Sequence, residues 1–380
     1  MLITAERIVT GTEVLAPGWL EVTGSVVTAL GSGTPAGVPE HALGAVTVVP
    51  GFVDMHTHGG GSGAFPEASA ESSLASRDLH RRHGTTSMIA SLVSAHPDEL
   101  LRQVAVLAEQ VQDGLLAGIH LEGPWLSSQR CGAHEPSALR DPDRAEIDRV
   151  FAAGKGTIRM VTIAPELHRA VPAIRRMVDA GAVAAIGHTN ATYAETRAGI
   201  EAGARAATHL FNAMRPLHHR EPGPITALIE DPRVTVELIN DGVHLHPALY
   251  RNVTNWVGPD RVALITDAMA AAGMSDGAYT LGALDVDVTD GVARVAGTNT
   301  IAGSTATMDL VFRNAVLGSG LERDAALQLA VQQACLNPAR AMGLDVAGLT
   351  VGGPADLVVL DDDLRVDAVL HRGTWVDGVR

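Results

Sequence analysis

The stretch Pro50-Gly51-Phe52-Val53-Asp54-Met55-His56-Thr57-His58-Gly59-Gly60-Gly61 decides how the chain is read. It opens as an apolar strand and ends in a run of glycines. Residues two apart in a strand share a face, so His56 and His58 aim their imidazoles at one point, where the strand stops. The glycines that follow leave that point free of side-chain bulk. Two neutral imidazoles converging there form half of a site for zinc or a similar divalent ion. For an isolated His-x-His, a pair of surface histidines beside a turn is the plainer alternative, and the rest of the chain has to decide.

Upstream, residues 1–50 carry LITAERIVT, GWLEVTGSVVTAL and AVTVVP, short runs rich in Val, Ile and Thr and punctuated by Gly and Pro. They predict a small β appendage. Downstream, apolar runs of strand length recur at 85–93, 115–123, 157–165, 182–189, 206–212, 235–241 and 261–268. Between them lie segments such as 97–114 and 166–181, with apolar residues at helical spacing. Counting the opening strand, eight alternating units predict an α/β fold, a parallel (β/α)8 barrel. A doubly wound open sheet is the competitor; the missing Gly-rich dinucleotide fingerprint counts against it. Residues 279–297 alternate around Asp290-Gly291, a hairpin signal, and predict an insertion after the eighth strand. Helical segments at 304–320 and 322–343 follow, and the tail returns to β character. The expected organisation is a barrel over 51–343, with 1–50 and 344–380 joined in one small β domain.

At 380 residues and 46% hydrophobic content the chain can bury a full core. It has no apolar run of about 18 residues, so no membrane span is expected. MLITAERIVT brings Glu6 and Arg7 early and lacks the apolar centre of a signal peptide, which predicts a cytoplasmic protein. Cys131 and Cys335 are isolated, which fits a reducing compartment and no disulfide scaffold. A net charge of −15 argues against nucleic-acid binding, and an anionic small substrate would need locally gathered cations.

A barrel of this kind places its catalytic residues at strand C-termini. His56 and His58 end the first strand, Glu122 the third, His188 the fifth and Asp267 the eighth, with His209 late in the sixth. Each alone reads as a buried, hydrogen-bonded polar residue; six metal-capable side chains at one end of one barrel read as a metal centre. Many binuclear hydrolases of this architecture bridge their metals with a carboxylated lysine after strand four. The only lysine here, Lys155, precedes that strand, so a bridge would be a carboxylate, and Glu122 is the candidate. Asp267 is then free to act as general base on a water whose pKa the metal lowers toward about 7.

PGF-D before His-x-His, HLEGP (120–124), GHT (187–189), THLFNAM (208–214) with REPG (220–223), NDGVH (240–244) and TDA (266–268) together resemble the N-acetylglucosamine-6-phosphate deacetylases of the amidohydrolase superfamily, over nearly the whole chain. The resemblance implies a barrel with a small β-sandwich, and hydrolysis of N-acetylglucosamine 6-phosphate to acetate and glucosamine 6-phosphate, in amino-sugar catabolism and cell-wall recycling. It implies that Glu122, His188 and His209 hold the main metal. Retention of both His56 and His58 leaves room for a second, so one or two divalent ions per chain are expected: zinc first, with iron, manganese, cobalt or cadmium as alternatives. It implies a homodimer whose phosphate site uses Arg220 and His244, one of them reaching across the interface. His134 and the backbone of Asn212 and Ala213 would touch the sugar, and Met308 would lie by the acetyl group. A cyclic-amide hydrolase or deaminase is the second reading; the missing strand-four lysine, and Arg220 with His244, count against it. A catalytically inactive scaffold is the third, opposed by the complete set of six. The segment 125–136 stands where loops commonly act as lids; an inert surface Cys131 is the plainer alternative, since a reactive thiol needs a lowered pKa.

Overall fold

A computed structural model describes residues 1–345 and 348–378. Eight parallel strands, β1 (Phe52–Thr57), β2 (Thr85–Leu92), β3 (Gly118–Glu122), β4 (Ile158–Ile163), β5 (Val183–Ile186), β6 (Ala206–Ala207), β7 (Thr235–Ile239) and β8 (Val262–Ile265), pair in chain order. Each coincides with a predicted apolar run. The runs are uninterrupted because helices cover the outer face while side chains fill the interior, so both faces of each strand are buried. Met55, Ile89, Met160, Ala185, Ala206, Ile239, Ala263 and Ile265 form an apolar cluster across the eight-stranded sheet.

Helix Pro97–Gln112 shows how the helical layer forms. Pro97 begins it, Asp98 and Glu99 meet the positive end of its dipole, and Leu100, Val104, Leu107 and Ala108 are buried along one face. The helix predicted over 166–181 is shorter, Ala170–Asp179, because Arg169 takes a left-handed conformation just before it (φ 65°).

Among the described residues no ladder pairs β8 with β1; the barrel closes just beyond the strand ends. Asp267 N–H donates to His56 O at 2.9 Å and His58 N–H to Ala268 O at 2.7 Å. Inside the seam, Asp54 accepts from the Thr266 hydroxyl, from Thr266 N–H at 3.4 Å and from His56 N–H at 3.3 Å. Burial pushes this carboxyl up to about 7 in spite of those donors. The seam thus sets the end of β1 beside the end of β8.

The small domain is two sheets sharing one apolar core, with Ile3, Ile8, Leu20, Val27, Val48, Leu357 and Val359 among its members. One sheet has four strands, Val26–Ser32, Gly18–Thr23, Leu2–Ala5 and His41–Ala42; the other has six. In the six-stranded sheet Leu357–Leu360 runs antiparallel to Thr47–Pro50, so the two ends of the chain meet there. Gly51 then carries the chain into β1. A Cβ at Gly51 would lie 2.1 Å from Thr86 Oγ1, so any larger residue at that junction would have to displace Thr86. The β character expected of the tail is seen at Leu357–Leu360, Val366–His371 and Thr374–Trp375. Positions 379 and 380, like 346 and 347 of the 344–380 segment, lie outside the described residues.

The insertion after β8 has three antiparallel strands, Gly277–Leu281, Leu284–Thr289 and Val292–Val295, where two were predicted. Asp290 (φ 52°) and Gly291 (φ 72°) make the expected tight turn between the last two. Among the described residues no helix is long and apolar enough to cross a membrane.

Candidate metal centre and active site

All six predicted metal-capable side chains meet at the C-terminal mouth of the barrel. Glu122 is the last residue of β3, and His56 and His58 straddle the end of β1. His188, His209 and Asp267 lie two residues past β5, β6 and β8, in left-handed backbone conformations with φ of 47°, 29° and 49°. For residues with a Cβ this conformation costs on the order of 1–3 kcal/mol, and it persists where neighbours over-determine it. Here Asp267 N–H is held by His56 O, His209 N–H by Glu237 Oε2 at 3.0 Å, and His188 O by Ser127 N–H at 3.0 Å.

The hydrogen bonds on the far sides of the rings fix which nitrogens face inward. His58 Nδ1 lies 3.1 Å from Ser91 O and His188 Nδ1 2.9 Å from Arg130 O. A carbonyl only accepts, so each Nδ1 carries a proton, and each ring when neutral presents its lone pair at Nε2. His56 Nδ1 faces a carboxylate in the same way, Glu237 Oε2 at 3.1 Å. The inward nitrogens crowd together: His56 and His58 Nε2 are 3.2 Å apart, His188 and His209 Nε2 3.1 Å. Around Glu122, Oε1 lies 3.1 Å from His188 and 2.8 Å from His209, and Oε2 3.0 Å from His58. Asp267 Oδ1 is 3.3 Å from His56 and 3.2 Å from His58. Lone pairs aimed at lone pairs and carboxylates need a cation between them, and imidazole with carboxylate suits zinc and similar ions. Glu122 turns Oε1 to His188 and His209 and Oε2 to His58, so one carboxylate faces both groups of donors.

The ionisation pattern has the same cause. Burial opposes charge on His58, yet Asp267 and Glu122 push it up to about 9. Burial likewise opposes charge on Asp267, but the charge of His56 and a hydrogen bond from His58 hold it at about 2. The carboxylates of this site demand positive charge from whatever stands among them.

His134 differs from the other rings. Ser94 N–H donates to its Nδ1 at 3.1 Å, so the neutral ring carries its proton on Nε2, which lies 3.4 Å from Glu122 Oε2. Burial, and then the nearby charge of His188, hold His134 down at about 4. It is a neutral N–H donor beside the metal cluster, with no inward lone pair to offer an ion.

A cavity of about 490 Å³ opens over the cluster. Arg130, Cys131, Asn212, Ala213, His244 and Asn299–Ile301 from the insertion also line it. His244 is anchored through Nδ1 to Asp241 Oδ2 at 2.7 Å. Arg220 lies outside this lining, on an exposed loop, with Nη1 2.9 Å from His219 Nε2. Glu221 pairs with Arg215 and leaves Arg220 unengaged by it. Met308 is fully buried at the start of helix Met308–Gly318, in the core and outside the lining. The sequence reading passed over Glu237, Ser94 and Ser91. Glu237 had a signal, an acid in the middle of the apolar strand TVELI; the two serines had none, since their role lies in which ring they meet.

Residues 47–376 match the amidohydrolase family model. The chain is 62% identical, over 99% of both chains and with a TM-score of 0.98, to the D267A mutant N-acetyl-D-glucosamine-6-phosphate deacetylase of Mycobacterium smegmatis, solved in complex with N-acetyl-D-glucosamine-6-phosphate. It is 37% identical to the N-acetylglucosamine-6-phosphate deacetylase of Danio rerio, over 87% of this chain and 83% of that one. It is 35% identical to the N-acetylgalactosamine-6-phosphate deacetylase of Escherichia coli O157:H7, over 99% and 98%.

Proposed function

This chain belongs to the amidohydrolase family, among its N-acetylglucosamine-6-phosphate deacetylases, and on that footing we propose how its residues carry out the reaction. The protein is a hydrolase of a linear amide: N-acetylglucosamine 6-phosphate gives acetate and glucosamine 6-phosphate. The observation that carries the site assignment is the set of outward Nδ1–H bonds, which forces the inward nitrogens to point lone pairs at Glu122.

Glu122, His188 and His209 would hold the main ion, and His56, His58 and Asp267, together with Glu122, would hold a second. We assign zinc as the ion. When bound, it polarises the acetamide carbonyl and lowers the pKa of the attacking water. Asp267, ionised at neutral pH, takes the proton of that water and passes it to the departing amine nitrogen as the C–N bond breaks. His134 donates its Nε2–H to the carbonyl oxygen as charge develops there. The backbone of Asn212 and Ala213 meets the sugar, and Met308 supports the acetyl end from within the core. The protein works as a cytoplasmic homodimer. Trp256, Leu317 and Leu321, which are more than half exposed on or beside neighbouring helices, supply an apolar face suited to a second copy. Acetate release from N-acetylglucosamine 6-phosphate, lost on chelation and restored by divalent metal, tests the whole assignment. Turnover of hydantoins or nucleobases in its place would overturn it; N-acetylgalactosamine 6-phosphate as a parallel substrate defines the selectivity at C4.

Two results follow. Metal-saturated protein should hold close to two ions per chain, and replacing both His56 and His58 by Ala should bring this to one; an unchanged stoichiometry refutes the second site. The other concerns phosphate. The protein is acidic overall, so a sugar phosphate gains nothing from its mean field. Arg220 and His244 supply local cations, Arg220 with the planar fork that matches phosphate oxygens, and such charge-assisted bonds contribute about 1.5–3 kcal/mol. Since Arg220 lies outside the cavity of its own chain, it serves the partner subunit's site. Arg220→Ala should raise KM for the phosphorylated sugar by about tenfold or more, equal to 1.4 kcal/mol. Hydrolysis of unphosphorylated N-acetylglucosamine should barely change. Equal losses on both substrates would mean that Arg220 supports the fold or the dimer.

A further inference from the structure

Glu237 stands in the middle of β7, fully buried and facing the barrel interior. One oxygen, Oε2, does two things: it accepts from His56 Nδ1 at 3.1 Å and from His209 N–H at 3.0 Å. The other, Oε1, has no partner among the described residues. The first contact governs which way the His56 ring is protonated. On its inner side His56 Nε2 faces two more acceptors, Asp267 Oδ1 at 3.3 Å and Glu122 Oε2 at 3.6 Å. Without Glu237, a neutral His56 would gain most by moving its proton to Nε2 and donating to one of them. A ring protonated there has no lone pair for an ion. Glu237 takes the proton outward and leaves Nε2 free. Toward His209 it meets only the backbone, so the ring that serves the other cluster is not subject to the same control.

Charge points the same way. Among the described residues, Glu122, Asp267 and Glu237 form ion pairs with histidines alone. Three buried carboxylates carry one negative charge more than a single divalent ion compensates, which favours a second. An uncompensated charge in such surroundings is costly.

We propose that Glu237 is a positioning residue for His56 and that it sets how tightly the second divalent ion, the one among His56, His58, Glu122 and Asp267, is held. This rests on the two-ion reading above. Partners in this position typically change metal affinity by about 10–100-fold when removed.

The test is a zinc titration of the full-length protein against a chromophoric chelator, for the wild type, Glu237→Gln, His56→Ala and the double variant. Glu237→Gln keeps the shape of the side chain and removes its charge, so its remaining carbonyl accepts the His56 Nδ1–H only as a neutral, weaker acceptor. It should weaken the second ion by about 10–100-fold while the first keeps its affinity. In the His56→Ala background, Glu237→Gln should have no further effect on the remaining ion. Two tightly held ions in both wild type and Glu237→Gln overturn this inference and leave the two-ion reading standing. Equal weakening of both ions, or a further loss in the double variant, overturns it by showing a general structural role. One ion in the wild type, unaffected by His56→Ala, overturns the two-ion reading and this inference with it. A measurement without a variant at Glu237 guards against misfolding. With histidine nitrogens labelled, zinc-loaded protein should show His56, identified by its loss in His56→Ala, protonated on Nδ1. A proton on Nε2 refutes the proposal.

Discussion

Asp267→Asn should fold normally and bind N-acetylglucosamine 6-phosphate, yet turn it over about 10²–10⁴-fold more slowly, the usual loss for a positioned acid/base group. Asn has the shape of Asp but does not take a proton from water. The backbone of residue 267 also has its own anchors: N–H to His56 O, and its carbonyl to Ser304 N–H at 2.7 Å. The side chain can therefore change while the barrel seam stays closed. The left-handed backbone at 267 suits Asn as well as Asp. Circular dichroism checks the fold, calorimetry with substrate checks binding, and acetate release gives kcat. Because Asp267 also faces His56 and His58, the second ion should be held less firmly, while the ion of Glu122, His188 and His209 stays. Turnover within a few-fold of the wild type would remove Asp267 from the role of base.

Glu122→Gln should be equally damaging, for a different reason. Glu122 is the one side chain shared by both clusters, with Oε1 toward His188 and His209 and Oε2 toward His58. Gln keeps a single acceptor oxygen and presents an NH2 group to the other cluster, where it repels an ion. The side chain also loses its charge. Metal content should drop below two per chain even at saturation. Turnover should fall by about 10³-fold, corresponding to the several kcal/mol a metal contributes to an amide transition state. Elemental analysis beside the acetate assay separates this from Asp267→Asn, whose main ion remains. A Glu122→Gln protein with two ions per chain and normal turnover would dissolve the shared-carboxylate model.

The barrel could be read from the sequence because parallel strands buried on both faces leave uninterrupted apolar runs, and eight such runs punctuated by helical spacing admit few other folds. The six metal-capable residues could be read because each breaks its run at the C-terminal end, where this architecture places chemistry. What strand periodicity does not contain is the relation between side chains far apart in the chain. His56 and Glu237 are 181 positions apart, and only closure of the barrel brings Nδ1 of one to 3.1 Å from the carboxylate of the other. The same holds for Ser94 and His134. Both residues stand in plain view in the sequence, yet only the fold brings the backbone N–H of Ser94 to Nδ1 of His134 and so leaves the neutral ring's proton on Nε2. Residue type and spacing therefore determined which elements this protein forms and which groups gather at its mouth. Tertiary structure alone decided which nitrogen of His56, His58, His134 and His188 carries the proton, because that depends on an outer partner whose position no local periodicity encodes.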